Sequence, residues 1–263
     1  MVRINKYLAN CELGSRRKVE NLIQENRVSV NNILCNDLSM QIDPDNDTVK
    51  VDNKLVKYNQ EKIFIMLNKP PGYIVTKSDE FKRKTIYDLL PEFAKKLNPV
   101  GRLDSDSEGL LLLTNDGDIS NRISHPIYHM EKTYKVVVKG QLDIQKIFQL
   151  RNGIQLDNYT TQSAKVFFEQ ITPEKSKIKI TIKEGKNRQI RNMFTAIGHE
   201  VTYLKRLQIG QIKLAKLPIG NWRFLTDSEI LYLLKQTKIK YPKINHESNE
   251  NTLIINNKRN IKK

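Results

Sequence analysis

Three acidic side chains share one short loop in Gly101-Arg-Leu-Asp-Ser-Asp-Ser-Glu-Gly-Leu-Leu-Leu-Leu-Thr-Asn-Asp-Gly-Asp118, with a guanidinium just ahead of them. Four consecutive leucines between a glycine and a polar turn predict a buried strand. Such a strand can hold Arg102 and Asp104 rigidly at the rim of a cleft. A carboxylate so held can attack an electrophilic carbon or stabilise positive charge developing there. A charged loop that merely caps a strand has the same composition. Residue type alone does not choose among Asp104, Asp106 and Glu108.

The whole string resembles the central motif of the pseudouridine synthases that modify ribosomal RNA. Their catalytic aspartate follows Gly-Arg-Leu, which here is Asp104. The resemblance implies breaking of the bond between ribose and uracil, rotation of the base and rejoining through carbon five. No metal and no diffusible cofactor is expected, since the sequence has neither metal-ligand clusters nor a GxxxxGK(S/T) or GxGxxG motif. By the same resemblance Tyr134, within Lys132-Thr-Tyr-Lys135, is the active-site tyrosine that stacks on the flipped base. Arg191, the last residue of Glu184-Gly-Lys-Asn-Arg-Gln-Ile-Arg191, is the cation expected to pair with Asp104, with Arg188 three residues earlier as its substitute. Arg102 is expected to help extrude the base. Lys205 and Arg206, in Tyr203-Leu-Lys-Arg-Leu207, are expected on the RNA backbone. The motif departs from the family where Ser105-Asp-Ser-Glu-Gly stands for the usual Asp-Thr-Glu-Gly; serine keeps the hydroxyl.

The elements that must position these residues follow from periodicity. Ile63-Phe-Ile-Met-Leu, the turn Asn68-Lys-Pro-Pro-Gly72 and Tyr73-Ile-Val-Thr76 predict strand, turn, strand. Lys77, Lys82, Arg83 and Lys84 make the next loop suited to phosphates. Thr85 with Asp88 predicts a short helix. Helices are also expected over 118–124, 188–197 (stopped by Gly198) and from the capping box Thr226-Asp-Ser-Glu229 to Leu234. Residues 131–139 and 176–183 alternate as strands.

Ahead of this lies a smaller unit. Ile4, Tyr7 and Leu8 share one helical face and Gly14 ends that helix. Ser15 caps a second helix carrying Val19, Leu22 and Ile23. Arg27-Val-Ser-Val-Asn-Asn-Ile-Leu predicts a hairpin and residues 48–52 a further strand. The strings Asn5-Lys-Tyr-Leu-Ala, Gly14-Ser-Arg-Arg and Arg27-Val-Ser-Val-Asn31 resemble the alpha-L RNA-binding domain named for a small-subunit ribosomal protein. The resemblance makes Lys6, Arg16, Arg17 and Arg27 phosphate contacts, which position RNA without reading its sequence.

The fold class expected is therefore α+β. An alpha-L RNA-binding domain over 1–60 precedes a catalytic domain over 61–234, built on a mixed, largely antiparallel sheet flanked by helices. A polar linker over 53–61 joins them, and a basic, disordered tail covers 235–263. The 263 residues hold 45 Lys and Arg against 29 Asp and Glu, a net +16, which calls for a polyanionic partner. That partner is expected to be ribosomal RNA, of the large subunit by the Arg-Gln-Ile-Arg and Leu-Lys-Arg strings, or an assembling particle. No apolar run approaches a membrane span, and a monomer is expected. The first residues reach Glu12 without a leader's apolar core, and Cys11 and Cys35 are too few for a disulfide framework; both fit the cytoplasm. Histidines 125, 129, 199 and 246 offer no ligand spacing. Two rivals share these features: a catalytically silent RNA-binding or ribosome-assembly factor, and a hydrolase that releases the base.

Overall fold

The computed structural model describes residues 1–57 and 62–239. The chain divides between Glu61 and Lys62 into two compact units, each taken by itself.

In the first unit, helix Ile4–Asn10 buries Ile4, Tyr7 and Leu8. Helix Arg16–Gln24 begins where the Ser15 hydroxyl accepts from the Lys18 amide at 3.3 Å, and it buries Val19 and Ile23. Asn31 and Asn32 both take left-handed φ, +52° and +66°, and so close a hairpin between Val28–Val30 and Ile33–Leu34. A four-stranded sheet runs in the order Ile33–Leu34, Val28–Val30, Val49–Val51, Lys54–Leu55. The last of these strands occupies part of the expected linker. Asp52 and Asn53, again left-handed, turn the chain back so that Lys54–Leu55 pairs with Lys50 and Val51. Residues 58–61 lie outside the described chain.

The second unit is built on a nine-stranded sheet among the described residues. Seven of its strands run in the order Lys165–Ile171, Lys175–Ile182, Lys132–Lys139, Val201–Ile209, Glu108–Thr114, Phe64–Lys69, Trp222–Phe224, while Ile212–Lys213 pairs with Val201–Ile209 and Asn98–Pro99 with Glu108–Thr114. Every pairing is antiparallel except that of Val201–Ile209 with Glu108–Thr114. The leucine run is continuous because both of its faces are covered. Leu111 and Leu113 join Ile65 and Leu67 in one core, which helices Ile144–Asn152 and Gln189–Ala196 also enter through Ile147, Leu150, Met193 and Phe194. Leu110 and Leu112 join Phe64 and Met66 in the other, closed by Ile119 and Ile123 of helix Gly117–Ser124 and by Ile230 and Leu233 of helix Asp227–Thr237.

Three local expectations change. Tyr73–Thr76 is not a strand: Ile74 makes an isolated bridge to Thr85, its amide donating to the Lys84 carbonyl at 2.9 Å. Asp116 is a helix cap rather than a free turn, accepting from the Asp118 and Ile119 amides at 2.9 Å. The last helix runs through Thr237, which is fully buried and donates to the Leu233 carbonyl, so the expected tail does not begin at 235. The rest of that expected tail, 240–263, lies outside the described residues. No described helix is long and apolar enough to cross a membrane.

Candidate active site

The loop 104–107 is shaped by a lysine that the sequence reading passed over. Lys69 ends the strand Phe64–Lys69 and has no exposed surface. Its ammonium donates to four carbonyls: Pro70 at 3.0 Å, Asp104 at 3.0 Å, Ser105 at 3.2 Å and Ser107 at 2.8 Å. The Gly72 amide adds a bond to the Ser105 carbonyl at 2.7 Å, and the Ser107 amide one to the Asp104 carbonyl at 3.1 Å. The loop thus folds around one buried cation. Burial lowers the Lys69 amine from 10.5 to about 8, and Asp106, Asp104 and Glu108 keep it from falling further. The signal available in the sequence was a lysine closing a strand that opens with four apolar residues.

Asp104 emerges from this loop with its side chain 30 % exposed, into a cleft of about 240 Å³. Arg102, Lys132, Tyr134, Arg188 and Arg206 line the same cleft. Tyr134 sits in the middle of strand Lys132–Lys139, opposite Ile180 on one side and Arg206 on the other, and is 7 % exposed. Lys132 shares its face two residues away, donating to the Met130 carbonyl at 3.1 Å. Burial, aided by the nearby Arg206 charge, lowers the Lys132 amine to about 8. Arg102 is exposed at the rim.

The cations divide differently from the expectation. Arg191 does not pair with Asp104. Its Nη2 lies 3.1 Å from Asp106 Oδ2, and its Nη1 donates to the Val201 carbonyl at 2.9 Å. Arg188 faces both acids, with Nη1 3.8 Å from Asp104 Oδ2 and Nη2 3.6 Å from Asp106 Oδ2. The reason is local. Arg188 caps helix Gln189–Ala196 in a left-handed conformation, φ +47°, which directs it to the loop, whereas Arg191 lies on the helix side packed against Val201–Ile209. A left-handed arginine is a strained choice of the kind found where a side chain must be aimed.

One further assignment is corrected by burial. Arg206 is 3 % exposed: its Nε donates to the Leu110 carbonyl at 2.7 Å and its Nη1 reaches the Arg102 carbonyl at 3.5 Å. It forms the floor of the cleft and is no surface contact for an RNA backbone. Its place was legible, since Leu204 and Arg206 alternate onto one buried face of their strand. Lys205 is held 2.9 Å from Glu108, which also accepts from the Tyr203 hydroxyl, so both ends of that pair are engaged within the fold. In the first unit Arg16 and Arg17 are exposed, Lys6 is half-buried, and Arg27 makes a two-point bond to Asp52 at 2.8 and 2.7 Å and one to Glu25. Arg16, Arg17 and Lys18 fill the first turn of their helix, with no acid there.

A second hollow, about 370 Å³, lies at the Lys165–Ile171 edge between Glu131, Arg151, Ala164 and Phe167. Among the described residues no group of three or more His, Cys, Asp or Glu side chains is placed to hold a metal ion.

A carboxylate on an ordered loop, a cation facing it and a buried tyrosine thus share one cleft, carried on a largely antiparallel sheet. Residues 63–196 match the RNA pseudouridylate synthase family, and residues 2–49 match the S4 domain. The chain belongs to the RNA pseudouridylate synthase family and carries an S4 RNA-binding domain ahead of its catalytic fold. It is 40% identical over 242 residues to an RNA pseudouridine synthase of Aquifex aeolicus (strain VF5), covering 91% of this chain and 96% of that protein. It is 39% identical over 232 residues to ribosomal large subunit pseudouridine synthase B of Bacillus subtilis (strain 168), covering 88% and 94%. Among solved structures it resembles a pseudouridylate synthase at 34% identity, with a TM-score of 0.64 over 89% of this chain and all of that one. The protein is thus a uridine isomerase that binds RNA.

Proposed function

We propose that this chain converts a uridine of large-subunit ribosomal RNA to pseudouridine, in the cytoplasm, as a monomer, with Asp104 as the essential residue. Support for the RNA class comes from the Bacillus subtilis relative, whose name states a ribosomal large-subunit substrate. The observation that carries the assignment of Asp104 is its position: alone among the three loop acids it lines the cleft that Tyr134 floors. Asp106 is turned to Arg191, and Glu108 to Lys205 and Tyr203.

Uridine enters the cleft flipped from its stack, with Arg102 at the rim occupying the space it leaves. Asp104 stabilises or bonds to the sugar carbon as the bond to uracil breaks. Arg188, facing the carboxylate at 3.8 Å, holds it aimed at the sugar. Uracil leaves with the bonding electrons, turns against the Tyr134 ring, and rejoins the sugar through carbon five. The proton on carbon five is lost and nitrogen one gains one, so the reaction adds and removes no atoms. The buried cations Lys132 and Arg206 make the cleft floor favourable to negative charge while the base is free. No step calls on a metal or cofactor.

The test is tritium release from RNA labelled at carbon five of uridine, with pseudouridines mapped in ribosomal RNA from cells with and without the protein. Asp104→Asn is expected to release no tritium yet bind RNA and melt as the parent does, while Asp106→Asn keeps measurable turnover. Normal turnover by a folded Asp104→Asn protein overturns the assignment, and an unchanged map of the large-subunit RNA overturns the substrate.

A further inference from the structure

One loop, leading on from the Gly72 turn, presents an aromatic ring that the core does not use. The chain leaves Gly72, whose amide is bonded to the aspartate loop, runs through residues 75–84 and returns at Thr85. The ends are closed by the Ile74–Thr85 bridge, the Ile74 amide bonding to the Lys84 carbonyl at 2.9 Å and the Ile86 amide to the Ile74 carbonyl at 3.0 Å. Inside it Asp79 accepts from the Arg83 amide at 2.7 Å and from the Arg83 guanidinium at 2.5 Å. Thr76 donates to the Ser78 carbonyl at 2.6 Å, and Lys82 takes a left-handed φ of +54°. The loop is ordered by its own bonds.

Phe81 stands on this loop 76 % exposed, with the Arg83 guanidinium 5.1 Å from its ring centroid. Lys82, Arg83 and Lys84 beside it are all exposed. A single exposed phenylalanine is ordinary on a protein surface. Here it stands on a closed loop with a guanidinium beside its ring and three cations following it in sequence, and the Gly72 amide at the root of the loop bonds to the Ser105 carbonyl next to Asp104. Those are the components of a single-stranded nucleic acid platform, in which an aromatic face takes a base and neighbouring cations take its phosphates.

We propose that Phe81 stacks an unpaired base flanking the target uridine, with Lys82, Arg83 and Lys84 on the adjoining phosphates. The proposal rests on the reading of the Asp104 cleft as the reaction site. Drawing a uridine out of a strand unstacks its neighbour, and a ring at this position restores a stacking surface to it. Because every base has an aromatic face, the platform contributes affinity without sequence preference.

The experiment measures full-length protein against two probes, a fluorescein-labelled single-stranded oligouridylate and heparin, a polyanion that has no bases. Phe81→Ala is expected to weaken oligouridylate binding about ten- to a hundredfold, the range that base–aromatic stacking spans, and to leave heparin binding unchanged. Phe81→Trp keeps the parent's oligouridylate affinity, and Phe81→Leu behaves as alanine does, because an aliphatic side chain supplies area without a ring face. An oligouridylate carrying 5-iodouridine is expected to photocross-link at residue 81. Parent-like binding by Phe81→Ala overturns the proposal, as does full rescue by leucine. An equal loss toward heparin also overturns it, marking a disturbed or merely electrostatic loop. Binding is read apart from turnover, so a failed platform leaves Phe81→Ala binding intact, whereas a failed site assignment leaves Asp104→Asn turnover intact.

Discussion

Arg188 and Arg191 stand three residues apart and have different tasks. Arg191 is 12 % exposed at its side chain and is bonded to the Val201 carbonyl, so it ties its helix to the sheet. Arg188, 46 % exposed, is the cation in range of Asp104. Arg191→Ala is expected to lower stability by about 1–3 kcal/mol, the scale of stranding a buried polar partner. Arg188→Ala is expected to leave the thermal melt unchanged and to lower kcat on the order of a hundredfold, as loss of one preorganised electrostatic partner does. Tritium release run beside a melt separates them, and the reverse pattern would return the supporting role to Arg191. Lys69 supplies a pH signature. In the unfolded chain its amine holds a proton up to the ordinary 10.5, whereas in the fold burial brings it to about 8. Between those values the unfolded state binds more protons, so this group makes stability rise with pH across that window. The same deprotonation removes a donor from the four carbonyls that shape the aspartate loop. Turnover should therefore fall as pH rises through about 8, while Tm, compared with Lys69→Met at each pH, gains rather than falls. Parallel loss of Tm and turnover would contradict this.

At the scale of elements, the one parallel pairing in the sheet depends on a glycine. Gly109 has φ +107°, and a side chain there would run into the Arg206 backbone. Gly109→Ala is expected to cost roughly 2–5 kcal/mol through backbone strain and overpacking, measured by urea unfolding of the full chain. Helix Arg16–Gln24 offers the opposite case, since three cations crowd the end of a helix that favours anions. Arg16→Glu should gain about 0.3–1 kcal/mol in stability and yet weaken RNA binding. A weaker helix with unchanged binding would remove this residue from the interface. These elements also mark how far the sequence could be read. Regular units were legible because their periods and caps are local: the leucine strand, the Ser15 and Thr226 caps, the asparagine hairpin. For Arg206 and Lys69 the local pattern signalled burial, but their partners lie 96 and 35 residues away, so their contacts and roles did not follow from it. Arg188 was weighed against Arg191 and set second because helical spacing does not reveal a left-handed cap.

At the scale of the molecule, Asp104, Tyr134 and Arg188 all lie beyond Lys62, so the first unit is expected to add RNA affinity rather than chemistry. A chain lacking residues 1–57 is expected to melt cooperatively and to retain slow turnover. Its log affinity for RNA should fall less steeply with log salt, by roughly 0.7–0.9 for each phosphate contact removed. An unchanged slope would take the first unit out of the interface. The long reach of Arg206 also bears on how this protein comes into being on the ribosome. The S4 unit is finished within its first few dozen residues and needs nothing downstream for its own core. The aspartate loop is translated midway, but its floor and its parallel partner strand follow nearly a hundred residues later. Such distant pairing closes slowly. A nascent chain therefore acquires a grip on RNA well before it acquires a working cleft, and an emerging chain held near its birthplace would be a binder first and an isomerase only on completion.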